Sequence, residues 1–470
     1  MKITLIHPCI GRIPGEKYLR AWQMEPLPMA HLAGLTSDEF EVKFFDDRVE
    51  TIDFDYPTDL VALSVETYTA KRAYQIASIY RAKGVPVVMG GFHATLMPDE
   101  VGEYADAVVV GEAEKLWPEV LEDFKNGALK RKYASPLRPD ISISAPDRSI
   151  FKGKRYLPVS LLETGRGCTF KCEFCAIQTF FESTQNRRSD ETVLEEIRSQ
   201  KDKSKLFFFV DDNVVSHPVA FKEFLRKLIP LKIRWVGQAT ITMTHDSELL
   251  DLMKRSGCQG VLIGFESLDA VNLKQMNKSF NAKRGGASEA VKKLNAYGIR
   301  LYATFIFGYD NDSADTFPKT LQFCLDHKIF MVAFNHLTPF PGTPLYQRLE
   351  SEGSLLYDKW WLDDSYRYGD VPFQTKLPRE TIRALCQGAR RDFYSYQSIL
   401  KRLFSRTNFA GGLTGLWMYV FINCLLHKDT ESRYRYPLGD PTFKGPLLKV
   451  KDAEEAPQRV ANSSSLLVGV

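Results

Sequence analysis

Two α/β units in tandem, a doubly wound parallel sheet and then a partial (β/α)6 barrel, with a mainly helical region after them, form the fold class this sequence predicts. Three observations predict it. Apolar runs of strand length alternate with helical patterns across residues 2–110, and again across 157–336, as in parallel sheets with a helix between successive strands. A polar stretch broken by Pro136, Pro139 and Pro146 separates the two series. At 470 residues the chain is too long for one ordinary core, so two or three domains are expected.

In the first series, Lys2–His7, Phe40–Phe45, Leu60–Val65, Val85–Met89 and Ala107–Val110 read as strands, with helices at Met29–Thr36 and Ala70–Lys83. Open parallel sheets take ligands beyond the carboxyl ends of their strands. Those ends carry Ser64, then Gly90-Gly91, then Gly111-Glu112. Glycine there lets a ligand come close to the backbone. His93, beside the glycine pair, reads as a surface or loop histidine rather than a ligand. The polar stretch covers 126–156, and the linker proper is placed at 131–156.

In the second series the strands are Val159–Glu163, Leu206–Val210, Arg234–Ala239, Gly260–Gly264, Arg300–Phe307 and Met331–His336. Helices fit Ser189–Lys201, Pro218–Ile229, Asp246–Ser256, Ala287–Tyr297 and Asp315–His327. Such barrels place their chemistry at the strand C-termini. The run Gly165-Arg166-Gly167-Cys168-Thr169-Phe170-Lys171-Cys172-Glu173-Phe174-Cys175 leaves the first of these strands. Its three cysteines are spaced C-x3-C-x2-C. Thiolates are soft ligands suited to iron–sulfur clusters, and three of them can hold three irons of a [4Fe–4S] cluster, leaving the fourth open to a small molecule. A structural zinc site would want a fourth ligand nearby. The nearest downstream histidine is His217 and the nearest other cysteine is Cys258, and neither has a paired spacing. Cys258 and Cys324 read as buried small residues.

The cysteine motif resembles that of the radical S-adenosylmethionine (SAM) superfamily. The first domain, with Ser64, Gly90-Gly91 and the segment Glu25-Pro26-Leu27-Pro28-Met29, is similar to the Rossmann-like cobalamin-binding domain that precedes the TIM-type barrel in many of these enzymes. Ile306–Asp310 and Thr338–Tyr346 also look like segments of the cobalamin-linked members, so the resemblance spans about residues 1–350. It implies that Cys168, Cys172 and Cys175 hold a [4Fe–4S] cluster. It implies SAM contacts from Phe174, Asp211, Asp212, Asn213, Gln238 and Glu266, with an acidic or amide group after the second strand on the ammonium and Glu266 on the ribose. For Asp211–Asn213 the competing reading is a helix cap, and for Phe174 it is ordinary core packing. Ser64, Gly90, Gly91, Gly111 and Glu112 would line the cobalamin slot. Many cobalamin domains carry Asp-x-His-x-x-Gly after the second strand; here Asp46-Asp47-Arg48-Val49-Glu50-Thr51 stands there, which implies cobalt without a protein imidazole. A domain that has lost its cofactor is the other reading.

The activity implied is methylation of an unactivated carbon in a large or lipophilic small molecule, using a 5′-deoxyadenosyl radical and methylcobalamin. A reductant such as flavodoxin or ferredoxin would supply the electron. Two alternatives stay open: an oxidative cyclase or rearrangement enzyme acting on a tetrapyrrole, as in the related anaerobic Mg-protoporphyrin cyclase lineage, and a non-catalytic cobalamin or iron–sulfur sensor.

Lys+Arg 62 against Asp+Glu 58, a net +4, does not argue for nucleic acid. Eight cysteines, three in one motif, with no signal-peptide pattern at the first residues, fit a reducing cytoplasm, with contact at the inner membrane left open. Residues 351–400 are rich in aromatics, Trp360, Trp361, Tyr366 and Tyr368 among them, and read as a cap over the open side of the barrel. Thr407–Leu426 carries no formal charge and is flanked by Lys401, Arg402, Arg406, His427 and Lys428. It reads as a buried helix, as a helix lying on a membrane, or as a span. The expected division is 1–130 cobalamin domain, 131–156 linker, 157–350 barrel, 351–450 C-terminal cap and 451–470 frayed tail.

Overall fold

The computed structural model describes residues 1–16, 18, 23–202, 204–405, 407–409, 412–429 and 436–450. The expected tail at 451–470 lies outside the described residues.

The first sheet consists of β1 (Lys2–His7), β2 (Glu41–Asp46), β3 (Leu60–Ser64), β4 (Val87–Gly90), β5 (Ala107–Val110) and β6 (Lys132–Ala134). Its order is β2-β1-β3-β4-β5-β6 with every pairing parallel. Near-continuous apolar strands such as Leu60-Val61-Ala62-Leu63 are buried because helices cover both faces. β6 lies within the stretch expected to be linker. Only Tyr133 of its three residues is buried, so an edge strand this short carries no readable alternation.

The second sheet joins β7 (Ser160–Leu162) to β10 (Phe207–Phe209), β11 (Trp235–Ala239), β12 (Cys258–Glu266), β13 (Arg300–Phe307) and β14 (Met331–His336), in the order β14-β13-β12-β11-β10-β7, all parallel. Between β7 and β10 lies an antiparallel hairpin, β8 (Gly165–Gly167) with β9 (Gln185–Arg187), absent from the sequence expectation. Strand alternation divides the faces. Phe207, Phe209, Trp235, Ile263 and Phe305 face the surrounding helices. Helix Pro218–Leu228 shows why those helices form: Phe221, Phe224, Leu225 and Leu228 make one apolar stripe, all fully buried. Each such side chain contributes about 1.5–3 kcal/mol. Ser189 and Asp246 cap the starts of their helices by accepting from Thr192 N–H and Leu249 N–H.

The other face of the sheet, with Phe208, Val236, Leu262 and Tyr302, lines a cavity of about 630 Å³. Helix Gly412–Asp429 closes its side with Met418, Ile422 and Leu426. The aromatic segment is divided: Tyr368 and Tyr394 line this cavity, with Arg390. Trp360, Trp361 and Tyr366 are buried with Tyr74, Tyr80 and Tyr104 of the first domain, while helix Arg379–Phe393 packs on β14. Composition left these rings either to pack a core or to shape a pocket; only tertiary packing decides which ring does which.

Candidate active site

The cysteine loop hangs from the β8–β9 hairpin. Gly167 has φ +96°, and a Cβ there would lie 2.1 Å from the Thr184 carbonyl oxygen, so only glycine fits before Cys168. All three cysteines are free thiols. Asn213 Nδ2 donates to Cys168 Sγ at 3.7 Å, and the backbone N–H groups of Ile177 and Gln178 point at the Cys175 sulfur. Donors of this kind favour thiolate. Burial works against them, pushing the Cys172 thiol up to about 12 and the Cys175 thiol to about 11. Loading a metal must therefore displace protons. Among the described residues no three His, Cys, Asp or Glu side chains converge on one metal ion. Separated thiols suit a cluster, in which each thiolate takes its own iron.

Asp211, Asp212 and Asn213 follow β10 and turn toward this loop. Asp211 accepts from Thr164 N at 2.8 Å and from Thr164 Oγ1 at 2.5 Å, and Asp212 accepts from Gly167 N at 2.7 Å. Asn213 Oδ1 accepts from Thr240 N, and Gln238 Nε2 donates to the Asp211 carbonyl at 3.3 Å. The four residues thus tie the ends of β10 and β11 to the cysteine loop. Burial pushes Asp211 up to about 7 and Asp212 to about 6, so a cation bound beside them would restore their charge.

Glu266 ends β12 at a bulge and has φ +63°, a strained conformation for a residue other than glycine. Its carboxylate is buried on Lys278 Nζ at 2.6 Å, and Lys278 also donates to the Gly264 carbonyl at 3.0 Å. A Cβ on Gly264 would lie 2.0 Å from Glu266 Oε1, so the glycine leaves room for this ion pair. Phe174 is half-buried against the barrel core, with the Lys278 ammonium 6.0 Å from its ring centre.

In the first domain Gly91 has φ +100°, and a Cβ would press to 2.9 Å on both Val65 N and Val65 O, beside Ser64 Oγ. Gly111 has φ +92° and donates to Thr95 Oγ1 at 2.9 Å. Gly91 is thus packed directly on the end of β3, where no side chain fits, whereas a Cβ on Gly90 would make ordinary contact with Val109. Glu112, which follows Gly111, pairs with Arg138 at 2.6 Å. His93 is not a surface residue: it is fully buried, with Nε2 at 3.2 Å from Glu100 Oε1 and its ring against Trp361. It starts a helix that packs inward, which its place beside two glycines does not reveal.

Comparison with known proteins agrees with this geometry. The family model of the Radical SAM superfamily matches residues 162–324, and that of the B12 binding domain matches 21–121. The bacteriochlorophyllide d C-12(1)-methyltransferase of Chlorobaculum tepidum is 32% identical over 417 residues, spanning 86% of this chain and 89% of the relative. The chain belongs to the radical SAM enzymes with a cobalamin-binding domain. The anaerobic magnesium-protoporphyrin IX monomethyl ester cyclase of Cereibacter sphaeroides is 26% identical, spanning 96% of this chain and 79% of that one. The solved radical SAM methyltransferase TsrM of Kitasatospora setae, with cobalamin and a [4Fe–4S] cluster bound, shares the fold at TM-score 0.60 and 16% identity over 75% of each chain.

The cofactors of this radical SAM enzyme are therefore a [4Fe–4S] cluster, SAM and cobalamin, and its substrate is a small molecule. Its sequence did not single out Lys278, which no motif marks. Nor did it single out Arg166, which binds Glu163 at 2.7 Å and Glu114 of the first domain at 2.5 Å and so pins the cysteine loop across the domain boundary. Among the described residues of the enzyme no helix is long and apolar enough to cross a membrane. In the uncharged stretch, Tyr419 and Asn423 are buried whereas Leu413 and Trp417 are 80% and 65% exposed, so neither the buried nor the spanning reading describes it. Arg406 and residues 410–411 lie outside the described residues.

Proposed function

We propose that this enzyme methylates an unactivated carbon of a large, mainly apolar molecule of tetrapyrrole size. The observation that carries the reading is the cysteine loop held on Asp211 and Asp212 at the end of β10, in a chain that also has a cobalamin-binding domain; the cavity of about 630 Å³ lies toward the starts of the same strands, beside Lys205, Leu206, Arg234 and Arg300, and is lined by none of the cluster or SAM residues. The tetrapyrrole size is supported by the bacteriochlorophyllide methyltransferase among the relatives.

Cys168, Cys172 and Cys175 would hold the cluster; Asp211–Asn213, Gln238, Glu266 and Phe174 would seat SAM; Ser64, Gly90, Gly91, Gly111 and Glu112 would line the cobalamin slot. When bound, these groups supply the radical and the methyl group. The chain's own part is to orient and to exclude water. Thr164 and Gly167, held on Asp211 and Asp212, fix the cysteine loop against the strand ends. Lys278 places a buried positive charge between Glu266 and the cysteines. The domain division expected above is part of the proposal, with β6 inside the stretch placed as linker.

With SAM labelled at its methyl group, the product should carry the label. 5′-Deoxyadenosine and S-adenosylhomocysteine should form in about equal amounts, one SAM serving each role. Deoxyadenosine without label transfer would replace methylation by an oxidative reaction. A flavodoxin- or ferredoxin-type reductant is part of the proposal. So is peripheral docking on anionic membrane: Leu413, Trp417 and Phe421 stand exposed on one face of helix Gly412–Asp429, with Lys428 on the same face. Equal binding of the parent and a Trp417→Ser/Phe421→Ser variant to anionic vesicles would remove the membrane from it.

A further inference from the structure

The cavity on the inner face of the barrel sheet is charged in one sense only. Among the described residues it is lined by Lys205, Arg234, Arg300 and Arg390 and by no aspartate or glutamate. Arg234 and Arg300 stand two residues before the wall residues Val236 and Tyr302, so strand alternation turns them to the same face. Lys205 and Arg234 are exposed at the edge of the cavity, and neither has a carboxylate at ion-pair distance among the described residues. Arg300 is buried, with its guanidinium 5.4 Å from the centre of the Phe330 ring, and burial lowers its pKa. An anion brought in beside such a cation offsets its desolvation.

The cavity also follows the sheet from strand starts toward strand ends. Leu262, on its wall, pairs in register with Gln238. Glu266 pairs with Phe305 and Phe305 with Phe334, so Asn335, another wall residue, lies level with the end of β12. Along β13 the distance from Arg300 to Phe305 is about 17 Å, at about 3.3 Å per residue. A molecule filling the cavity thus extends from the cations at the strand starts to the level at which Gln238 and Glu266 stand.

We propose that Lys205, Arg234 and Arg300 seat a carboxylate of the substrate, whose apolar body lies along the inner face with its reacting end toward Gln238 and Glu266. This rests on the reading of a large, mainly apolar substrate. Guanidinium groups meet a carboxylate in paired hydrogen bonds, and a singly charged group costs less to desolvate among apolar walls than a phosphate.

The test uses the anaerobically purified enzyme and two probes, protoporphyrin IX, a dicarboxylic acid, and its dimethyl ester, with binding read by quenching of tryptophan fluorescence. The acid should bind at least tenfold more tightly than the ester. Lys205→Gln/Arg234→Gln should remove that preference. Val236→Trp, which fills the cavity, should weaken both probes, with cluster iron content at the parent level in each variant. Equal binding of acid and ester by the parent overturns the proposal and leaves the size of the substrate standing. The proposal also falls if the preference survives in the double variant, or if Val236→Trp leaves both probes bound as before, which would place them elsewhere. The comparison of acid with ester in the parent decides the matter even where a variant folds poorly. If neither porphyrin binds, the tetrapyrrole size fails instead. Palmitate bound by the parent and lost in the double variant would then uphold the carboxylate seat, and palmitate left unbound would overturn it as well.

Discussion

Asp211→Asn should make the enzyme more stable at alkaline pH, and the amount follows from burial. The side chain is 1% exposed and its acidity is moved from the ordinary 3.8 to about 7. Desolvation is the main cause, opposed by the hydrogen bonds from Thr164. Between these two values the folded protein keeps a proton that the unfolded chain has lost, so stability falls as pH rises through the window. About three pKa units at ~1.36 kcal/mol each set a ceiling of ~4 kcal/mol. Relaxation and water penetration reduce such figures, and about 2 kcal/mol is the expected loss. Asparagine is the same shape, can still accept from Thr164 N–H and has no proton to lose. Asp212 and Asp312 are also pushed up, to about 6, and titrate in the same range in parent and variant alike. The informative quantity is therefore the difference between variant and parent. In anaerobic urea denaturation without SAM, the difference between the two should be smallest near about pH 3 and should grow by about 2 kcal/mol in favour of Asp211→Asn by about pH 8. A gap that stays constant across the range would refute the reasoning, because it would mean that Asp211 ionises normally in the fold.

Three further outcomes are expected. The Cys168→Ala/Cys172→Ala/Cys175→Ala variant should lose both its brown colour and SAM cleavage, read as iron content and 5′-deoxyadenosine; cleavage by the triple variant would remove the cluster from these residues. Gly91→Val puts a branched side chain where even a Cβ would lie 2.9 Å from Val65 backbone atoms, so bound cobalamin should fall at least tenfold, or about 1.4 kcal/mol, by absorbance while iron content holds. Lys278→Met strands the buried Glu266 carboxylate and should cost about 3–5 kcal/mol; adding Glu266→Gln should restore much of it, and strictly additive effects in the double-mutant cycle would show that the pair is not coupled.

Strand and helix existence was legible in the sequence because burial on both faces of a parallel sheet forces long apolar runs, as in Leu60–Ser64 and Arg300–Phe307. The C-x3-C-x2-C spacing was legible because a cluster needs its ligands on one short loop. The glycines at 90, 91 and 111 marked the strand ends; close packing on Val65 requires one at 91, and a positive φ favours one at 111. Other features depend on residues distant in sequence, and no local pattern records them. Arg166 meets Glu114 across 52 positions, and Lys278 reaches Glu266 only because β12 bulges at its end. His93 became a core residue through Trp361, 268 positions away. The edge strand β6 and the β8–β9 hairpin are three residues long, too short for any period to show. His7 looked like the end of a strand and nothing more. Tertiary structure alone enclosed its ring and left Nδ1 buried without a hydrogen-bond partner among the described residues, because hydrogen-bond satisfaction is a property of the whole fold.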